Sequence, residues 1–394
     1  MPGCEFDKTV IFAPVKLNEH TLGISALILV ASLTIYARFH DSYLKFGQGE
    51  FIEAWGDGLK TYTNAIFHIR HGSNYTFFEV MNYPYPEHII PATELPGLAI
   101  FWKFVNDNIF PVSNTMIIDS QHALLMLGMF LSCLFMCLIF RGLGVEWWFA
   151  IIASVGLTFL APQTFRLKGH FGLAVVFVLP AILYLLQKFE QNKHWKYSLW
   201  IALTIFISSF FHFYFFALCS ATIGLYLTTS CVFEILRTYQ PDKLKIIGKY
   251  LKHLALMVGP ALVFFYFFLI AADPVTDRSP KPFGFLYYRA NYEGFIVCRE
   301  LPLFEWIHEN IIKIRPTQFE GRVYIGLVSI VFIVVFFFKW VWQFLRAPLT
   351  PKGESLPPFG HSTSGSGSPI GVRGAHGLFP IIINQQPYLW SLFF

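Results

Sequence analysis

Eight blocks of apolar residues dominate this chain, at about 22–39, 117–140, 147–165, 171–187, 198–212, 214–234, 254–271 and 323–341. Crossing the roughly 30 Å hydrocarbon core of a bilayer takes about 20 mostly apolar residues in a helix. Composition agrees with that reading. Hydrophobic residues make up 55% of the 394 positions and charged residues 13%, about half the charged share of a soluble domain. A soluble fold of this size would lack the polar surface to cover itself. The pattern therefore predicts an all-α, polytopic transmembrane helical bundle of about eight spans. The fifth and sixth blocks meet across "SSFFHFYFF" and read as a tight helical hairpin. The first block has no small-residue cleavage site after a short apolar core, so it reads as a retained span.

Lysine and arginine in short loops mark the cytoplasmic side of a membrane protein. Lys188, Lys193 and Lys196 lie in one such loop, and Arg237, Lys243, Lys245, Lys249 and Lys252 in another. Both fall on the side of Lys8 and Lys16, together with Arg141, Lys339 and Arg346, if the N-terminus is cytoplasmic. A multi-pass protein of the cell inner (cytoplasmic) membrane is the expectation. Two large loops, about 40–116 and 272–322, then lie outside the cytoplasm. The first carries Asp41, Glu50, Glu53, Asp57, Glu79, Glu87, Glu94 and Asp107 against only Lys45, Lys60, Arg70 and Lys103. The formal net charge of +5 thus follows from membrane sidedness, and no clustered basic patch speaks for nucleic-acid binding.

Three regions result: a cytoplasmic segment 1–21, a transmembrane domain 22–346 and a tail 347–394. The tail is rich in Pro, Gly and Ser, has no helical period and reads as disordered or as an aberrant, truncated or frameshifted end. Cys133, Cys137, Cys219 and Cys231 lie inside apolar blocks, where a free cysteine acts as a small hydrophobe.

Ionisable groups at the mouths of membrane spans are costly and so become functional candidates. Asp119 and His122 open the second block, and Arg166, Lys168 and His170 sit in the short turn "PQTFRLKGHFG". His212 lies in the hairpin between the fifth and sixth blocks; Asp57, Glu87 and His88 come from the first loop, and Glu320 precedes the last block. All fall on the outer side. Arginine and lysine there can hold phosphate oxygens, and a carboxylate can deprotonate an acceptor hydroxyl. Plainer readings stand beside these. "GDG" around Asp57 is a common turn sequence, and "MNYPYPEH" suits a proline-stiffened loop with interfacial aromatics. The cations of "RLKGH" suit lipid headgroups, and His212 suits a bond to a nearby backbone carbonyl.

The stretches "GDGLKTYTNAIFHIRHGSNYTFFEVMNYPYPEH", "PQTFRLKGHFGLAVVFVLPAILYLL" and "FEGRVYIGL" together resemble bacterial membrane proteins of the GT-C glycosyltransferase-like type, in an uncharacterised subgroup associated with Bacteroidetes. The resemblance covers roughly residues 20–345. It implies a GT-C-like fold and a sugar donor on a polyprenyl phosphate. It also implies a first-loop acid near the membrane that serves as catalytic base or metal ligand, and further spans beyond the eighth. Asp57 takes the place of that acid. "YPYPEH", with Glu87 and His88, is similar to a loop motif in which glycine is expected where Pro86 stands. "ATELPG" replaces an Asp-containing "TDNQP"-like stretch, so Glu94 either substitutes for that acid or marks a degraded site. Arg166 and His170 match an R-x-x-GH pattern assigned to donor phosphate, and Glu320 a second-loop motif of no known role.

The expectation is a glycosyltransferase working at the extracytoplasmic face. Asp57 and Glu87 are its candidate catalytic residues. Arg166, Lys168, His170, His88 and Glu320 are its candidate substrate-binding residues. A divalent metal ion would have Asp57 and Glu94 as candidate ligands. Expected partners are membrane lipid, the polyprenyl-phosphate sugar and a saccharide, lipid or protein acceptor. A transporter or flippase of lipid-linked saccharides, or a non-catalytic subunit of an envelope-assembly complex, stays open beside it.

Overall fold

The computed structural model describes residues 18–52, 56–79, 86–237, 243–272, 302–311, 313 and 327–346. The chain divides into two units, Met1–Asp277 and Arg278–Phe394. The described residues are overwhelmingly helical. The first unit begins with α1 (Glu19–Phe39), α2 (Gly56–His71), a two-residue hairpin of β1 (Phe77–Phe78) and β2 (Glu87–His88), and the single turn α3 (Ile89–Ala92). It continues through α4 (Pro96–Asn108), α5 (Asn114–Gly142), α6 (Trp147–Leu160), a 3-10 helix Pro162–Lys168, α7 (Val178–Asn192), α8 (Trp195–Ser209), α9 (Tyr214–Arg237) and α10 (Lys243–Phe265). The second unit contributes α11 (Pro302–Asn310) and α12 (Leu327–Arg346).

Among the described residues, four helical stretches are long and apolar enough to cross a membrane: Glu19–Phe39, Asn114–Gly142, Tyr214–Leu236 and Lys243–Ile270. A fifth crossing is available if α6 and the 3-10 helix, bent by 47°, form one broken span. The other expected spans differ from the hydropathy blocks for a backbone reason. The block at 171–187 does not start a helix until Val178. Phe171, Ala174, Val175 and Val176 run before it in non-helical backbone and are buried. Helices α7 and α8, of 15 residues each, reach only about 22 Å at 1.5 Å per residue. Helix α10 starts well before its apolar block and contains Pro260, after which the winding loosens into a π-helical stretch, Tyr266–Ile270. The tight hairpin between the fifth and sixth blocks is present, with α8 ending at Ser209 and α9 starting at Tyr214.

Small residues let the first helices approach closely. Leu27 and Ala31 of α1, Cys133 and Cys137 of α5, and Ala150 and Ile151 of α6 form one buried cluster. The Ser132 and Thr158 hydroxyls bond at 3.0 Å between α5 and α6. In the first loop, α2 and α4 are tied by Lys103, whose side chain is 4% exposed and pairs with Asp107 at 3.0 Å. Its Nζ also donates to the Gly72 carbonyl at 2.6 Å. That bond satisfies a carbonyl just past the end of α2, while Asp107 neutralises the buried cation.

Candidate functional site

Gly56–Asp57–Gly58 is not a free turn. It forms the first turn of α2, so the Asp57 carboxylate sits where a helix N-terminus favours negative charge. The carbonyl of Asp57 accepts the Thr61 hydroxyl at 2.9 Å, inside that helix. The "RLKGH" segment lies directly against this turn. Gly169 has φ of +137°, and a Cβ built on it would stand 3.3 Å from the Gly58 nitrogen and 3.7 Å from the Asp57 Cβ. Only glycine both adopts that backbone and leaves room for α2 to start there. The Tyr43 hydroxyl, from the chain just past α1, donates to the Leu167 carbonyl at 2.6 Å and fixes the same segment from the other side.

The third contributor is "TELPG". Leu95, buried, takes a left-handed conformation at φ 54°, which costs a non-glycine residue about 1–3 kcal/mol. Two long-range bonds hold it there. The Leu95 N–H donates to the Phe211 carbonyl at 3.0 Å and the Gly97 N–H to the Phe210 carbonyl at 2.9 Å. Those carbonyls lie past the end of α8, where a helix leaves acceptors unsatisfied. The kinked segment and the helix end complete each other, and Glu94 is aimed inward between them.

Asp57, Glu94 and His170 converge as a result. His170 Nδ1 lies 3.0 Å from Glu94 Oε1, and His170 Nε2 lies 3.5 Å from Asp57 Oδ2. The second oxygen of Glu94 accepts the Gly172 N–H at 2.7 Å. Side-chain exposure falls from 58% at Asp57 through 29% at His170 to 16% at Glu94, so the chain of groups runs inward from an open carboxylate to a covered one. The hydrogen bond to Glu94 raises the His170 pKa above its ordinary value. Burial opposes it, the Glu94 and Asp57 charges add to it, and Arg166 works against it. The shift favours the imidazolium, which has one N–H for each carboxylate. Arg166 is half-buried on the 3-10 helix, near enough for its charge to act on His170, and Lys168 on the same element is exposed.

His212 completes the group. Gly172 leaves it room, since a Cβ there would meet the Phe211 carbonyl at 2.6 Å and His212 Cδ2 at 3.0 Å. Burial lowers the His212 pKa, with Glu94 opposing and His170 assisting. Its Nδ1 accepts the Tyr214 N–H at 3.2 Å, in place of the expected bond to a backbone carbonyl.

The remaining candidates sit elsewhere. Glu87 and His88 belong to the small hairpin, paired with Phe78 and Phe77. His88 is fully buried and caps α3 by accepting the Ile90 N–H at 3.3 Å. Its ring stands edge-on to Phe77 and Phe268. That is the environment of a structural histidine. Glu320 lies outside the described residues. For a metal held by Asp57 and Glu94, the geometry is unfavourable. The His170 ring stands between the two carboxylates with both nitrogens directed at them, so the ring already bridges the pair. Among the described residues, no group of three or more His, Cys, Asp or Glu side chains is arranged to hold a metal ion.

A family model described as "Domain of unknown function (DUF6311)" matches residues 28–358. The chain belongs to the DUF6311 family. The matched region contains every residue of the Asp57–His170–Glu94 group as well as Arg166 and His212. No curated protein and no solved structure matches the chain.

Proposed function

We propose that this DUF6311 protein is an integral membrane glycosyltransferase of GT-C type. It transfers a sugar from a polyprenyl-phosphate donor at the extracytoplasmic face of the cell inner membrane. The observation that carries this reading is the open Asp57 carboxylate, held at a helix N-terminus beside the His170 ring that a covered glutamate positions. In this reading Asp57 is the general base that takes the proton of an acceptor hydroxyl. Arg166, with Lys168, holds the donor phosphate. His170 is a positioning residue, turned by Glu94 so that its second N–H faces Asp57.

Sidedness supports the placement. Lys193 and Lys196 flank the link from α7 to α8, and Lys243, Lys245, Lys249 and Lys252 lie on the first turns of α10. These links are at the opposite ends of α7, α8, α9 and α10 from the Asp57 group, as the positive-inside tendency requires. Eight crossings are compatible with the short helices, because irregular backbone is tolerated at membrane depth when protein covers it. The buried stretch around Phe171 and Val175 meets that condition.

The test is a transfer assay on membranes carrying the chain, with a panel of polyprenyl-phosphate sugars and a labelled sugar. A glycosylated product that depends on the chain is expected. Flux of the lipid-linked sugar across vesicles with no transfer product would replace this reading by the transporter one.

A further inference from the structure

Between α1 and α6, lined by none of the Asp57, Glu94 or His170 side chains, lies a shallow groove of about 400 Å³. Thr34, Ala37 and Arg38 form one wall, and Val155, Gly156 and Phe159 the other. Its lining is almost wholly apolar, since Thr34 spends its hydroxyl on the Val30 carbonyl at 2.7 Å. Gly156 opens the floor: a Cβ there would meet nothing within 4 Å. The surrounding surface is apolar too, with Leu33, Tyr36, Ile152 and Leu160 all more than half exposed. A face of that kind on a membrane-crossing helix pair meets hydrocarbon and not water.

The one charge lining the groove is Arg38, on the last turn of α1. Its guanidinium lies over the Phe39 ring at 5.4 Å, and among the described residues no carboxylate pairs with it. A cation at the end of a span, next to an apolar groove, extends its head to the interface and seeks an anion there. Phosphate matches the guanidinium fork best. The groove spans little more than one helical turn on each wall, Thr34–Arg38 and Val155–Phe159. That is too short to seat a partner helix, and its short apolar lining suits a single flexible chain.

We propose that this groove binds one phosphate-bearing membrane lipid, with an apolar chain along Ala37, Val155 and Gly156 and the phosphate on Arg38. The site stands apart from the transfer chemistry and requires only that α1 and α6 face a bilayer. Its head end nevertheless connects to the Asp57 group. Phe39 stacks on Phe159 at 6.2 Å and meets Tyr43 edge-on at 5.7 Å, and Tyr43 holds the Leu167 carbonyl beside Arg166. A lipid seated here would buttress the segment that carries Arg166 and His170.

Native mass spectrometry of the full chain tests this, after equilibration with vesicles of phosphatidylglycerol or with diacylglycerol as the phosphate-free control. The wild type is expected to retain one phosphatidylglycerol and no diacylglycerol. Gly156→Leu, which fills the groove, and Arg38→Gln should each lower retention tenfold or more. Gly224→Leu on α9, where a Cβ also meets open space, should leave it unchanged. Equal retention in wild type, Gly156→Leu and Arg38→Gln overturns the proposal, as does equal retention of diacylglycerol. A measurement on the unaltered chain guards against misfolded variants. Phosphatidylglycerol with a photoreactive acyl chain should label peptides containing 34–38 or 155–160, and labelling spread evenly over the lipid-facing helices contradicts the site.

Discussion

Two polar networks sit at opposite ends of the same helices, and they are built to different rules. At the end of α7, Lys193 takes a left-handed conformation at φ 45°. It reaches Glu190 at 3.6 Å, Glu234 at 3.3 Å and the Tyr250 hydroxyl at 3.0 Å. Tyr250 and Lys249 also bond Glu234, and Tyr226 donates to Glu190. Burial works against the Lys193 charge, but the Tyr250 bond and the two carboxylates outweigh it and raise its pKa. Every carboxylate in this network is matched, and α7, α9 and α10 are locked together. At the other end, Glu94 is matched in the same way, yet Asp57 is left more than half exposed, with one partner at 3.5 Å. A network that closes on itself serves the fold. One that ends in an open carboxylate beside a cation leaves a group free for chemistry.

That contrast can be broken by mutation. The largest effect is expected from Glu190→Ala, whose side chain is 7% exposed. Removing one partner of a buried ion pair costs about 3–5 kcal/mol. The unfolding transition should fall sharply while transfer per folded molecule stays at the wild-type rate, measured side by side in detergent. Next, His170→Gln, whose amide N–H can still donate to Glu94, should do the opposite. Transfer drops about 100-fold, on the scale of a lost acid–base group or its support, with little change in unfolding. If both variants lose stability and transfer together, the two ends do not differ in role.

A smaller and more specific effect is expected from Glu94→Gln. A neutral amide oxygen can still accept from His170, but the carboxylate acceptor and its charge, which raise the His170 pKa, are gone. A raised folded-state pKa means that the bridge is intact below the ordinary value of 6.5 and is lost as pH rises through the folded value. The alkaline limb of the pH–rate profile should therefore move to lower pH in Glu94→Gln, with a modest loss at the optimum. An unmoved limb would reduce Glu94 to a structural role. The smallest effect concerns His68, buried on α2, which burial and the Lys103 charge push down to about 4. Here the sign reverses: the neutral ring is favoured in the fold. Its contribution is full above 6.5 and is lost as pH falls toward 4, read as a falling unfolding midpoint that His68→Gln should flatten.

Much of the site was legible in the chain, and the gaps have physical causes. Asp57, Arg166 and His170 stood out because charge beside a membrane span is costly, and the structure brings their two segments together. Hydropathy could not show that α7 begins at Val178, because it registers burial and apolarity and is blind to backbone shape; Phe171 and Val175 are as apolar outside a helix as inside one. "GDG" suggested a turn because glycine is a poor helix former, and the contact with Gly169 that lets α2 start there lies 111 residues away. Glu94 was noticed only as a replacement for a missing acid. Its pairing with His170 depends on Leu95 and Gly97 reaching the carbonyls beyond α8, a contact with no local signal. His88 was misleading for the reverse reason, since a histidine in a loop motif looks the same in sequence whether it faces a ligand or caps a buried turn.

In the proposed mechanism the open carboxylate of this group does the chemistry. Asp57→Asn keeps the size and most of the hydrogen bonding of the side chain but removes the base. The direct measurement is sugar transfer from a polyprenyl-phosphate donor by this variant, with its unfolding transition recorded on the same preparation. The expected result is an unfolding transition like that of the wild type and transfer lowered by about 100-fold or more. Transfer at the wild-type rate in a folded Asp57→Asn protein would contradict it.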